Sequence, residues 1–184
     1  ICACLVGSEM CIRDRASINV TNCSDGVDGL CGSLFCVSLY SFMAVSVGSG
    51  FRLVCVVMLS AAFAYLWFNC SPSKLLMGDA GSRAMGVFLA VCALKTGRPL
   101  LFIPLCIVLI IDGGLGLMKL SFRRFLGMKR FMENIRTPLH DHMRKNKGWS
   151  DTQVVFRFTI VQIIVSLAAL YLSLIHISEP TRHA

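Results

Sequence analysis

The sequence predicts an all-α fold, a polytopic membrane helical bundle with about five transmembrane helices. Three observations carry that prediction. Hydrophobic residues make up 55% of the 184-residue chain and charged residues only 15%. That apolar share exceeds the roughly 45–50% of soluble domains, which points to a bilayer as solvent. The apolar residues gather into five stretches, at 30–47, 51–68, 83–94, 100–118 and 154–171, most of them near the roughly 20 residues a helix needs to cross. The strict alternation that marks a half-buried strand is absent.

In chain order, the first stretch follows the polar segment 22–29 and ends at Gly48-Ser49-Gly50, a tight turn into the second. A polar loop, 69–82, precedes the third and shortest stretch. Thr96-Gly97-Arg98-Pro99 leads into the fourth, and a long basic segment, 119–153, leads into the fifth. If each stretch crosses once, then 22–29, 69–82 and 119–153 all emerge on one face. Nine Lys or Arg residues crowd 119–147, among them Arg123, Arg124, Lys129 and Arg130, against Glu133 and Asp141; the opposite turns offer Arg52, Lys95 and Arg98. Lys and Arg are enriched in short inner loops, so the long-loop face is expected to be cytoplasmic. The formal charge of +8 is therefore juxtamembrane, and a lipid bilayer rather than a nucleic acid is the expected partner.

Ten cysteines suggest at first a disulfide framework. Most stand singly inside apolar runs, as Cys36, Cys55, Cys92 and Cys106 do, with no CxxC pair and no Cys/His cluster at zinc spacing. They read as small apolar residues of packed helices.

The two ends look foreign to this pattern. Residues 172–182 read LSLIHISEPTR and residues 4–15 read CLVGSEMCIRDR. One oligonucleotide encodes the first, and its reverse complement, in a shifted frame, encodes residues 5–14. The string resembles a transposase adapter from sequencing libraries. Segments 1–15 and 172–184 are therefore expected to be translated adapter, outside fold reasoning. Segment 16–171 is then the C-terminal part of a membrane domain.

Three polar patches carry candidate chemistry. Asn22-Cys23-Ser24-Asp25-Gly26-Val27-Asp28-Gly29 places two aspartates three apart between glycines, which allow tight turns. Such oxygen ligands suit Mg²⁺, which takes one or two carboxylates and keeps phosphates as further ligands; plain Asp-Gly turn chemistry accounts for the string equally well. In the second patch, Phe68-Asn69 to Met77-Gly78-Asp79-Ala80-Gly81-Ser82, Asp79 lies between glycines before a span. The following amide N–H groups make a natural anion site, while the alternative is that Asp79 caps a helix beginning at Arg83. The third patch, Thr137-Pro138-Leu139-His140-Asp141-His142, precedes Arg144, Lys145 and Lys147. Two histidines without a third ligand are poor evidence for zinc. Amid this positive charge a diphosphate is the more natural ligand, the alternative being attraction to anionic headgroups. Arg157 fits a cation snorkelling to the interface. Asp112, an acid inside the apolar run of the fourth stretch, is either a functional group or a hydrogen-bonding one.

Together these patches resemble the phospho-N-acetylmuramoyl-pentapeptide transferase (MraY type) family of polyprenyl-phosphate sugar-1-phosphate transferases. Its members share an NxxDGxDG-like loop, matched by Asn22, Asp25, Gly26, Asp28 and Gly29, and an FN…P…MGDxGS loop, matched by Phe68, Asn69, Pro72 and 77–82. A His-rich loop and a GWS…VVxRF stretch follow, matched by His140, His142, Gly148-Trp149-Ser150 and Val154-Val155-Phe156-Arg157-Phe158. The resemblance covers nearly all of 16–171. It implies ten transmembrane helices and a cytoplasmic cleft in the bacterial inner membrane. It also implies Mg²⁺-dependent transfer from UDP-N-acetylmuramoyl-pentapeptide to undecaprenyl phosphate, giving UMP and lipid I, and it leaves room for a homodimer. Asp79 is the implied metal ligand and, with Asp25, His140 and His142, a catalytic candidate. Asn22, Asp25, Gly26, Asp28, Asn69, Leu76, Gly78, His140 and His142 are the implied substrate-binding set.

This chain departs from the family in three respects. Asp141 replaces the middle histidine of a His-His-His motif. Leu76 stands where many members carry a phenylalanine able to stack on uracil, a role another aromatic such as Phe68 would have to fill. The upstream paired-aspartate motif is absent, so the chain alone is expected to be inactive. The nearest rival is a sister enzyme transferring N-acetylglucosamine phosphate to the same carrier, which the GWS…VVFRF segment disfavours. A transporter or channel with anion-binding loops predicts polar residues in several spans, whereas Asp112 is the only acid within them.

Overall fold

The computed structural model describes residues 17–45, 49–125 and 136–178. Residues 1–15, Lys129, Arg130, Glu133 and the end of the chain past 178 lie outside the described residues. What is described is helical. Helix α1 occupies 17–24 and α2 Leu30–Ala44; α3 is Ser49–Asn69 and α4 Gly78–Lys95. A 3₁₀ turn, Pro99–Leu101, runs into α5, Phe102–Leu105, and then come α6 (Ile107–Phe125), α7 (Leu139–Lys147) and α8 (Asp151–Ser178).

Among the described residues two helices are long and apolar enough to cross a membrane, over Gly50–Asn69 and Asp151–Ser173. A third span is made only if Pro99–Leu105 and Ile107–Lys119 count together across an 87° bend. Helix α2 is apolar but has 15 residues. The third sequence stretch begins five residues earlier than its apolar run, at Gly78, so that Asp79 and Ser82 lie in the first turns of α4. Helix α8 continues through Leu172 to Ser178 without a break.

Helix α2 is the hub. It is apolar on most of its circumference, as a largely enclosed helix is, and Leu30, Leu34, Phe35, Leu39 and Phe42 are all completely buried, with Tyr40 left exposed. Helices α3, α4 and α8 pack around it. The outward faces of α3 and α8 expose Leu53, Val57, Phe63, Trp67, Ile164 and Leu167. Lipid tails are as apolar as leucine, so close packing rather than escape from water holds such helices together, and small residues let them approach. Here α1 lies between α4 and α6 at two glycines. A Cβ on Gly86 would sit 2.4 Å from Thr21 Oγ1, and one on Gly113 2.4 Å from the Val20 carbonyl oxygen.

The fourth stretch is not one helix. The chain leaves helical geometry at Cys106 (φ −127°, ψ 20°), two residues after Pro104, whose ring cannot support an interior hydrogen bond. A break at this depth frees backbone groups that lipid cannot satisfy, and α8 supplies their partners. Gln162, fully buried, accepts the Val108 N–H at 2.9 Å and donates to the Leu105 and Pro104 carbonyls at 3.0 and 3.2 Å. Ser166 receives a further bond from its amide at 2.9 Å, and Ser38 on α2 donates to Leu105 O at 2.6 Å.

Candidate active site

The polar segments 25–29 and 69–78 are clasped to one another. Gly29 has a left-handed φ of 83°, a conformation open to glycine at little cost, and this turns its N–H onto Asn69 Oδ1 at 2.8 Å. The Asn69 amide in turn donates to Leu75 O at 2.8 Å and to Ser73 Oγ at 3.3 Å. On the other side Ser82 Oγ donates to Asn22 Oδ1 at 2.9 Å, tying α1 to α4. Asn22 and Asn69 thus hold the loops in place. Between the clasps lie Asp25 and Asp28, half-buried, and the exposed Gly26.

Asp79 stands in the first turn of α4, where a carboxylate meets the positive end of the helix. It makes no side-chain cap bond; its partner is Arg83 one turn on, at 2.7 Å, and its side chain is 72% exposed. The helix-cap alternative is therefore not the geometry adopted. Burial, then the neighbouring Asp79 and Asp28 carboxylates, push the Asp25 carboxyl up to about 6. Asp25 therefore feels a second acid of its own loop and one from the first turn of α4. Among the described residues no three His, Cys, Asp or Glu side chains close around one point as a complete metal cage. The donor set instead fits an ion such as Mg²⁺ that takes one or two carboxylates and fills its shell with phosphate oxygens and water. Leu76 and Phe68 are exposed beside this cluster in the chain, and Gly78, at φ 65°, starts α4.

The two histidines part company. Residues two apart on a helix point about 200° from one another, and both lie on α7. His140 faces inward and is buried. Its backbone N–H donates to Asp112 Oδ1 at 2.8 Å, and its Nδ1 lies 2.8 Å from Asp112 Oδ2. Its Nε2 edge rests on Gly26, where an added Cβ would come within 2.4 Å. His142 faces away and accepts the Arg136 N–H through Nδ1 at 3.3 Å. Of the two, His140 is the one brought to the aspartate loop, while His142 stands on another face of α7. Asp141, in the middle position, is held by Lys145 at 2.9 Å, whose hydrogen bond and charge draw its carboxyl below the usual range.

The segment after α7 is chiefly structural. Gly148 takes the left-handed conformation (φ 67°) that ends α7. Ser150 and Gln153 form a capping box at the start of α8: Gln153 N donates to Ser150 Oγ at 3.3 Å and Ser150 N to Gln153 Oε1 at 3.2 Å. Arg157 does not simply reach for the interface, because its guanidinium lies 4.1 Å over the Trp149 ring. Val154 and Phe158 point into the core.

Asp112 stood open between a structural and a functional role, and its contact with His140 was not visible in the sequence. The signal was its cost, a carboxylate inside an apolar run. The partner lay 28 residues away, beyond any local pattern.

Comparisons with known proteins show what the chain is similar to. The Glycosyl transferase family 4 profile matches residues 12–97. A phospho-N-acetylmuramoyl-pentapeptide-transferase of Treponema pallidum (strain Nichols) is 40% identical over 173 residues, covering 84% of this chain and 47% of the relative. Proteins of the same name from Dictyoglomus turgidum and the Wolbachia of Brugia malayi are 31% and 30% identical, over 84% and 82% of this chain and 50% and 48% of theirs. The chain spans about half the length of the curated relatives it matches. By these matches the chain belongs to glycosyl transferase family 4 and is similar over most of its length to the phospho-N-acetylmuramoyl-pentapeptide-transferases.

Proposed function

We propose that the complete protein moves phospho-N-acetylmuramoyl-pentapeptide from its UDP donor to undecaprenyl phosphate, giving lipid I and UMP. The reaction would take place on the cytoplasmic face of the bacterial inner membrane. One observation carries the reading: at one end of the bundle Asp28 and Asp79 stand close enough to the half-buried Asp25 that their charges, added to burial, hold its carboxyl up at about 6. That arrangement is costly without a cation and a polyanionic ligand to use it. Asp79 and Asp25 would hold Mg²⁺, which supplies charge neutralisation on the diphosphate. The chain's own groups do the rest. The free N–H groups at the start of α4 face an anion favourably, the Asn22 and Asn69 clasps fix the loops, and His140 bounds the aspartate loop from the α7 side. An acceptor phosphate oxygen then forms a bond to the donor's β-phosphorus as the bond from that phosphorus to the bridging oxygen breaks and UMP leaves.

The test is turnover by the complete protein, followed as UMP release and lipid-linked product, with UDP-N-acetylmuramoyl-pentapeptide and UDP-N-acetylglucosamine side by side. Turnover of the first is expected; turnover of the second alone overturns the reading in favour of the sister transferase. Asp79→Asn should abolish nearly all turnover while leaving helix content unchanged.

A further inference from the structure

Asp112 is completely buried, sits in the part of α6 that joins a candidate span, and spends both carboxylate oxygens on one residue. Oδ1 accepts the His140 backbone N–H at 2.8 Å and Oδ2 lies 2.8 Å from Nδ1. A carboxylate can only accept, so the ring nitrogen facing it at this distance carries the proton and Nδ1 is the donor. The other nitrogen, Nε2, is thereby left as the ring atom that meets Gly26, between Asp25 and Val27. Backbone and ring of His140 are fixed by the same acid.

We propose that Asp112 is a positioning residue. It fixes His140 in the Nδ1–H tautomer, and through the imidazole sets where the Asp25–Asp28 loop lies. This deepens the transferase reading and rests on it for its catalytic consequence, though not for the tautomer itself. A buried partner that orients a histidine is the kind of group whose loss typically costs about 10- to 100-fold. The pair also answers why an acid is tolerated inside an apolar stretch: its charge is spent on two N–H donors.

The experiment is ¹⁵N NMR of the histidine ring nitrogens in the 184-residue chain in detergent, wild type against Asp112→Asn. In the wild type His140 should carry its proton on Nδ1. In Asp112→Asn the amide oxygen keeps the backbone N–H, the amide N–H₂ then faces Nδ1, and the proton should move to Nε2. A wild-type His140 with a bare Nδ1, or a tautomer unchanged in the variant, overturns the proposal. If Asp112→Asn does not fold, the wild-type spectrum decides alone. In the complete protein the same variant should lower kcat by about 10- to 100-fold with the donor KM held within about threefold; an unchanged kcat overturns the positioning role. Absence of turnover in the wild type would count against the transferase reading and leave the tautomer result standing.

Discussion

Gly26→Ala is expected to drive the aspartate loop away from His140. Gly26 has no left-handed φ, so an alanine there meets no backbone strain, and the effect comes from contact alone. The new methyl would lie 2.4 Å from Nε2, 2.9 Å from Cε1 and 3.5 Å from Cδ2 of the ring. Favourable contact between heavy atoms lies near 3.5–4.0 Å, so the overlap is about 1 Å. A free side chain would rotate aside. This ring is tied at Nδ1 and at its own backbone to an acid with no exposure, so the loop must give instead. Overpacking of this kind costs about 1–3 kcal/mol, and a displacement near 1 Å of positioned groups costs about 100-fold in turnover.

The assay is a double-mutant cycle on unfolding free energy, with Gly26→Ala, His140→Ala and the pair. His140→Ala alone leaves the buried Asp112 with only the backbone N–H of residue 140 as donor, a loss of up to about 3–5 kcal/mol, but that term enters both arms and cancels. With the ring gone the alanine methyl has room, so the pair should be less destabilised than the sum by about 1–3 kcal/mol. Additivity within about 0.5 kcal/mol, or a Gly26→Ala protein as stable as the wild type, refutes the account of His140 as the wall of the loop.

Gln162→Leu removes the bridge across the α5–α6 break and leaves Val108 N–H and Pro104 O without partners, while Leu105 O keeps Ser38. At about 1–3 kcal/mol per orphaned group the loss is about 2–6 kcal/mol, read by denaturation in mixed micelles; a change below about 0.5 kcal/mol would contradict the bridge. Ser150→Ala breaks the capping box of α8 and should cost about 0.5–2 kcal/mol by the same measurement. The Asp25 carboxyl is ionised only above about 6. Divalent-cation binding that uses it should therefore be full above that pH and fall as pH drops through it, measured by calorimetry; Asp25→Asn should flatten the profile. Because the folded value is raised, the native state binds the extra proton, so fold stability should change in the opposite sense and rise slightly as pH falls through that window.

The helices were legible in the sequence because apolar runs of spanning length have few other solutions. The breaks were less so. At 83–94 the apolar count marks only the part of α4 beyond its polar first turns, since a helix accepts Gly, Asp and Ser at its start, and the helix reaches back to Gly78. At 100–118 hydropathy is blind to the bend at Cys106, because what stabilises it is Gln162 from another helix. The same limit applies at the site. The sequence singled out Asn22, Asp25, Asp28, Asn69 and Asp79 by motif, but motif alone does not say that the two asparagines bond to protein groups. Nor does HxH spacing say which histidine turns inward; that follows only once α7 forms and Asp112 is beneath it.

The gathering of the three patches at one end does not depend on counting spans, and this matters because the 87° bend removes the simple count. The contacts fix it directly. Gly29, at the start of α2, bonds Asn69 at the end of α3, so these helices run antiparallel between two ends. Ser82, near the start of α4, bonds Asn22, which returns α4 to the first end, and its 18 residues carry Lys95 about 27 Å away. Arg98, just past that far end, bonds Ser173 of α8, whose own start at Asp151 pairs with Arg144 of α7. His140 of α7 is seated on Gly26, so between Lys95 and His140 the chain has recrossed the bundle. Bent or straight, α5 and α6 together must make that crossing. The basic residues Arg136, Arg144 and Lys145 then share the end that holds Asp25, Asp28 and Asp79, and their charges balance partners such as Asp141 and Asp151. A site of mixed charge at one mouth of an apolar bundle is what the proposed reaction, between a water-borne polyanion and a membrane-borne phosphate, would require.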